Sequence, residues 1–228
     1  MITLYQRQDC PFCWRVRLIL SALDLEYRSV DIALGEKHPD ILAISPQGRS
    51  SVPVLIDPQA ELVIWESSVI ISYLMEQYAG DAECSEDNAA DNARIAMINS
   101  YADSALGSAI KDTIFEKRAK TVSEWDRDLL EQSDQRWRSC CCELNRWFEQ
   151  GLCSAKPIQL AVLGTRLALA QAYGLQIPRQ QIALRCWFEA FVRSALYRQT
   201  LPRSIYWQGE CCDYAGGEIS QKFKSVSS

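Results

Sequence analysis

Two cysteines three residues apart, Cys10 and Cys13, stand in the run Asp9-Cys10-Pro11-Phe12-Cys13. A thiol attacks a disulfide only as the thiolate, and a free cysteine with pKa ~8.5 is mostly protonated near neutrality. A Cys-x-x-Cys pair at a helix start behaves differently. Unpaired N–H groups and the positive end of the helix dipole face the sulfur, and pKa values there fall to roughly 3.5–7.5. The spacing also lets Cys13 attack a mixed disulfide on Cys10 and resolve it. The same pair read without chemistry is two small buried hydrophobes, or half of a zinc site. A zinc ribbon needs a second Cys-x-x-Cys, which the chain lacks.

The rest of the composition narrows the options. The 228 residues include ten Cys and one His. A Ser-His-Asp or Cys-His site would have to use His38, and a multi-His metal site is excluded. No bound metal is expected. The net charge of −5 argues against nucleic-acid binding and polybasic membrane docking. No signal peptide and no spanning segment are read from the chain. Adjacent cysteines, Cys140 to Cys142 and Cys211-Cys212, suit reduced thiols better than ordered bridges, so a cytoplasmic location is expected.

The elements that must position the two thiols follow from pattern. Residues 2–5 open as a short strand. Pro11 suits the first turn of a helix, where its missing N–H costs nothing. Val16, Leu18, Ile19, Leu20 and Leu23 form the apolar face of that helix, with Arg15 and Arg17 on its flank. Cys10 thus falls at or just before the helix start. Residues 26–32 read as a strand, 38–44 as a short helix and 45–51 as a loop. Strands at 52–57 and 62–66 flank a turn at Asp57-Pro58, and a helix runs from Ser67 to Tyr78. The order is β-α-β-α-β-β-α, one parallel crossover first and an antiparallel hairpin last. Residues 79–91 have little apolar content and read as a linker. Everything after them reads helical, with a very apolar helix over 158–173 and a polar tail after Pro202. The domains expected are therefore 1–78, α/β, and 92–228, all helical.

Position sorts the other candidates. Two of Cys140 to Cys142 are expected to face the core beside Trp137 and Leu144. Trp137, Trp147 and Trp187 are read as core, and His38 as an exposed residue near a helix start.

The β-Cys-Pro-Phe-Cys-α opening, Ser51-Val52-Pro53-Val54 before a strand, and Trp65-Glu66-Ser67-Ser68 opening a helix together resemble the glutathione transferase superfamily. Within it the cysteine resembles the omega, dehydroascorbate reductase and two-domain glutaredoxin branches. The resemblance implies a thioredoxin-like N-terminal domain with an all-α C-terminal domain, commonly as a homodimer. It implies glutathione as co-substrate and Cys10 as the nucleophile, with Cys13 as resolving thiol. It also implies that Val52, before a cis-Pro53, offers its backbone to the cysteinyl part of glutathione. Glu66 and Ser67 would hold the γ-glutamyl end: an ammonium wants a carboxylate, and a carboxylate wants hydroxyl and N–H donors. Lys37 matches a lysine that contacts the tripeptide in omega-like members. Tyr101 and Asp103 fall on the helix that faces the acceptor pocket in the family. The family's Ser/Thr and Asp capping pair is missing at Lys156-Pro157-Ile158-Gln159.

The function this implies is a glutathione-dependent thiol transferase or reductase acting on a small-molecule or protein disulfide. Two alternatives stay open. One is glutathione conjugation to electrophiles. The other is a non-catalytic partner of RNA polymerase, like the stringent starvation proteins.

Overall fold

The structure is a computed structural model that describes residues 1–33, 35–44, 51–79, 89–151, 156, 158–202, 205–207 and 210–212. It divides into two units, Met1–Asp87 and Asn88–Ser228.

The first unit is built on a four-stranded sheet. Its strands are β1 (Ile2–Gln6), β2 (Tyr27–Asp31), β3 (Val54–Asp57) and β4 (Leu62–Trp65), in the spatial order β2-β1-β3-β4. β1 and β2 run parallel, with Gln6 opposite Asp31; β3 is antiparallel to both β1 and β4. The register places Tyr5, Val54 and Trp65 in one row across three strands, and Leu4, Leu55 and Ile64 in the next. Side chains alternate faces along a strand, so the two rows serve opposite sides of the sheet. Tyr5 and Val54 join Ile32 and Ile41 in a buried cluster beneath α2 (Pro39–Ile44). The helices α1 (Pro11–Ala22) and α3 (Ser67–Tyr78) pack side by side. They bury Trp14, Val16, Leu18, Ile19, Leu20, Ile70 and Leu74. The β-α-β-α-β-β-α order stands as expected. The third strand starts at Val54 rather than at residue 52, because the Val52–Pro53 peptide is cis and turns the chain just before it.

Asp57 closes the β3–β4 hairpin from inside. It is fully buried and accepts the Tyr73 hydroxyl at 2.6 Å, the Tyr78 hydroxyl and the Gln59 N–H at 2.9 Å. Two tyrosines of α3 are thereby pinned to the far end of the hairpin.

The second unit contains α4 (Ala89–Tyr101), a π-helical turn at Ala102–Leu106, α5 (Gly107–Ala119), a 3₁₀ turn at Val122–Glu124 and α6 (Arg127–Glu149). It continues with α7 (Ala161–Ala172), α8 (Ile182–Arg193) and α9 (Ala195–Thr200). Asp126 caps α6 by accepting the Leu129 N–H at 3.0 Å, and Ser194 caps α9 by accepting the Tyr197 N–H at 3.1 Å. α7 is the central helix, buried at ten of its positions, Ala161 to Thr165, Leu167 to Ala170, and Ala172. Gly164 has no room for more: a Cβ there would lie 2.5–2.8 Å from the Phe191 ring of α8.

Three expectations need correction here. α4 begins at Ala89, inside the segment read as linker; residues 80–88 lie outside the described ones. The apolar helix spans 161–172, with 158–160 forming a turn before it. Ahead of α7, whose N-cap Leu160 makes no side-chain cap bond, Gln159 Oε1 accepts the Lys156 N–H at 2.8 Å; Pro157 lies outside the described residues. The second unit is also not helical throughout. β5 (Ile205–Trp207) and β6 (Glu210–Cys212) form an antiparallel pair. The Ile-Tyr-Trp run supplies β-branched and aromatic residues that favour a strand, which the polar tail beyond obscured.

Candidate functional site

The sheet register assembles one edge. β3 begins at Val54 and β4 ends at Trp65, in the Tyr5-Val54-Trp65 row, and β1 and β2 end one position beyond it, at Gln6 and Asp31. The segments leaving that edge carry Cys10, the Val52–Pro53 peptide and the Glu66-Ser67 pair, and Lys37 follows β2 from it. α1 and α3 both start there, so two helix N-termini face the same side of the unit.

Cys10 is the N-cap of α1, with extended backbone (φ −82°, ψ 120°) and Pro11 in the first helical position. Its carbonyl accepts the Trp14 N–H at 2.9 Å, and its own N–H donates to the Arg7 carbonyl at 3.2 Å. Cys10 and Cys13 are both free thiols and both buried, Cys13 completely. The Cys13 thiol donates to the Cys10 sulfur, and this is the largest influence on Cys10. Burial opposes it. The backbone N–H groups of Cys13 and Phe12 and the charge of Arg7 act with it, and the Cys10 pKa falls to about 6. Cys13 is pushed far up by the same hydrogen bond, then by burial and by the charge on Cys10. The Arg7 N–H donates to the Cys13 sulfur at 3.4 Å. The pair therefore holds one proton, on Cys13, and one negative charge, on Cys10. At pH 7 a thiol of pKa 6 is about nine-tenths ionised, against roughly one part in a hundred at pKa 9. Such a thiolate is matched to thiol–disulfide exchange, where the best attacking thiol has a pKa near ambient pH.

The other expected residues lie on the segments that leave the same sheet edge. Val52 is half-buried and precedes the cis bond to a buried Pro53. Ser67 is buried in the first turn of α3. It is not the N-cap: Glu66 holds that position, and its side chain does not cap the helix. The N–H groups of this first turn thus keep their hydrogen-bonding capacity toward the edge. Glu66 is exposed and has φ 72°, ψ 112°, a conformation that costs a non-glycine residue on the order of 1–3 kcal/mol. Its carbonyl accepts the Ile70 N–H at 3.0 Å. Lys37 is exposed in the irregular segment between β2 and α2. The loop over 45–50, including Arg49, lies outside the described residues.

Several side chains are placed where sequence pattern did not put them. Arg15 and Arg17 are buried rather than flanking, and the Arg15 guanidinium lies 4.7 Å from the Phe12 ring centre. His38 is half-buried, edge-on to Tyr5 at 5.4 Å, with Nδ1 3.9 Å from Asp40. Trp137 and Trp187 are core residues, but Trp147 lines a cavity of about 290 Å³ with Arg94, Met97, Ile98 and Gln150. Tyr101 meets Trp147 edge-on at 5.0 Å and hydrogen-bonds Cys140; Asp103 pairs with Arg166 at 3.0 Å. Cys140 and Cys141 are buried and Cys142 is exposed, as expected. Cys211 and Cys212 fall on β6. Among the described residues no group of three or more His, Cys, Asp or Glu could hold a metal ion, and no helix is long and apolar enough to cross a membrane.

Residues 4–82 match the family model described as glutathione S-transferase, N-terminal domain. The glutathione S-transferase-like protein tpcF of Aspergillus fumigatus is 40% identical over 81 residues, 35% of this chain and 35% of that protein. Glutathione S-transferase GstB of Escherichia coli is 34% identical over 136 residues, 58% of this chain and 64% of that protein. The chain thus aligns to between about one third and two thirds of the length of these two relatives. Among solved structures, the theta class glutathione S-transferase of Xanthomonas axonopodis pv. citri, with glutathione bound, superposes with a TM-score of 0.75. It is 20% identical, and the match covers 90% of this chain and 98% of that one. Residues 4–82 therefore match the glutathione S-transferase N-terminal domain family, and the chain has the glutathione transferase fold, a thioredoxin-like domain followed by a helical one.

Proposed function

We propose that the chain is a glutathione-dependent thiol transferase or reductase whose nucleophile is the Cys10 thiolate. The observation that carries this reading is the charge arrangement at the start of α1. Cys10 stands at the N-cap position with its pKa lowered to about 6, and Cys13, one turn in, has its pKa raised. Cys10 attacks one sulfur of a disulfide and forms a mixed disulfide. The other half of that disulfide leaves as a thiolate. Glutathione then attacks the outer sulfur of the mixed disulfide and releases the Cys10 thiolate, or Cys13, after losing its proton, attacks the Cys10 sulfur, expels the outer group as a thiolate and forms the Cys10–Cys13 disulfide.

In this reading glutathione lies along the edge described above. The Val52 backbone, just before the cis peptide, pairs with its cysteinyl part. Ser67 and the uncapped first turn of α3 receive the γ-glutamyl carboxylate, and Glu66 its ammonium. The unusual backbone of Glu66 supports this placement, because such conformations persist mainly where function holds them. Lys37 supplies a cation for the tripeptide at the end of β2. That the theta class neighbour is solved with glutathione bound agrees with the choice of co-substrate.

Conjugation of glutathione to electrophiles is the second reading, favoured by the 34% identity over 136 residues to a protein named glutathione S-transferase. Turnover separates the two. The proposal predicts glutathione-dependent reduction of a mixed disulfide between glutathione and a small thiol, at a rate well above conjugation to a chlorinated aromatic. Rapid conjugation with no disulfide reduction contradicts it.

A further inference from the structure

Arg17 lies one helical turn past Cys13 and two turns past Cys10, on the same face of α1. It is only 7% exposed. Its guanidinium donates to Gln6 Oε1 at 2.6 Å, to the Gln8 carbonyl at 3.1 Å and, more weakly, to the Arg7 carbonyl at 3.4 Å. Gln6 is held for this contact by its own donation to Ser29 Oγ at 2.7 Å. All three acceptors are neutral, and among the described residues no carboxylate forms an ion pair with Arg17. Arginine does not shed its charge in proteins, and a buried cation without an anion is costly. Both cysteines of the site are among the groups whose negative charge favours it.

Arg7 links the guanidinium to the thiol pair. Its carbonyl accepts from Arg17, and its N–H donates to the Cys13 sulfur. The guanidinium and the Cys13 sulfur thus both bond to the backbone of one residue, Arg7. Of the ionisable groups near Arg17, Cys13 acts on it most strongly, followed by Tyr27, Cys10 and Asp31. Asp31 is engaged by the Gln8 amide at 3.1 and 3.3 Å. Arg7 adds a second positive charge beside Cys10.

We propose that Arg17 is a positioning residue for the resolving step: it holds the loop that carries Cys10 and provides the positive charge that lets Cys13 become a thiolate once Cys10 is in a mixed disulfide. The proposal rests on the reading above. With glutathione disulfide as oxidant, the Cys10 thiolate attacks one sulfur, the S–S bond breaks, and a glutathione thiolate leaves. Cys10 then no longer accepts the Cys13 proton. Cys13 gives that proton through solvent to the departed thiolate and attacks the Cys10 sulfur. The Cys10–glutathione bond breaks, a second glutathione thiolate leaves, and a Cys10–Cys13 disulfide forms. In sum, one protein thiolate, one thiol and one glutathione disulfide give a protein disulfide, one glutathione and one glutathione thiolate.

The test follows the whole chain by intact mass after mixing with glutathione disulfide and quenching with acid at intervals. In the wild type the adduct appears on Cys10 and converts to the Cys10–Cys13 disulfide. In Arg17→Gln the adduct forms, but conversion is about tenfold slower and its pH midpoint is about one unit higher, the size expected for losing a nearby opposite charge. Arg17→Lys keeps the charge and keeps the wild-type midpoint. This second variant carries the test if Arg17→Gln does not fold. Conversion of Arg17→Gln at the wild-type rate and midpoint overturns the proposal, as does a midpoint raised in Arg17→Lys. Absence of any adduct on wild-type Cys10 instead overturns the thiol transferase reading.

Discussion

Replacing Cys10 by serine is expected to cut disulfide turnover by about a thousandfold or more, the scale seen when an enzyme loses its nucleophile. A serine hydroxyl in the same position has no accessible anion near neutrality, and the helix start cannot lower its pKa far enough to supply one. Cys13→Ser is expected to retain turnover with glutathione, because a hydroxyl still donates to the Cys10 sulfur and external glutathione can resolve the adduct. Cys13→Ala removes that donor, and its hydrogen bond is the largest influence lowering Cys10. Alkylation by iodoacetamide reads the thiolate directly. In the wild type its rate rises with pH through about 6 and then levels. In Cys13→Ala the rise moves to higher pH. A Cys10→Ser enzyme with wild-type turnover, or an alkylation profile with no step near 6, is inconsistent with the charge arrangement described.

The second large effect is on stability. Asp57→Ala is expected to destabilise the first unit by about 3 kcal/mol, since hydrogen bonds to a charged group are each worth roughly 1.5–3 kcal/mol and are not fully additive. Two tyrosine hydroxyls of α3 and the Gln59 N–H lose their acceptor at once. The effect depends on pH in a fixed direction. Burial alone would raise the Asp57 pKa, but the bonds from Tyr73, Tyr78 and the backbone of Gln59 and Ala60 outweigh it and hold it below 3.8. A carboxylate depressed on folding contributes stability that is complete above its unfolded value and is lost as pH falls through its folded one. Urea denaturation should therefore show the full difference between wild type and Asp57→Ala at pH 7 and a smaller one below pH 3.8. An equal difference at both pH values would mean that Asp57 acts by packing rather than as an anion. The site edge would feel the loss too, because α3 carries Ser67 at its other end.

Most of the first unit was legible because its signals are local. Proline at the first helical position, alternation in short strands and a turn at Asp57-Pro58 each follow from a few neighbouring residues, and together they place Cys10 at a helix start. The edge that gathers Cys10, Val52, Glu66 and Ser67 needed only the strand order in addition. What escaped pattern reading depends on contacts distant in sequence. Arg17 reads as a solvated charge on the flank of an apolar helix. It is buried because the carbonyls of the preceding loop and the Gln6 side chain fold over it. Its spacing from Cys13 and Cys10, four and seven residues, was the signal available. Trp147 belongs to a helix full of core residues, yet it falls on the cavity side of α6, because α4 passes that face with Arg94 and Met97. The π-helical turn over 102–106 leaves no mark in apolar spacing. The hairpin of β5 and β6 was hidden by the polar residues that follow it.

The central claim is that Cys10 is the thiolate that takes glutathione. It is tested most directly by incubating the reduced chain with glutathione disulfide at pH 7, quenching early, and mapping the modified peptide by mass spectrometry. The account predicts one glutathione adduct, on Cys10, with the other nine cysteines unmodified at that time. An adduct on Cys142 or Cys186, the cysteines exposed among the described residues, with none on Cys10, would contradict it.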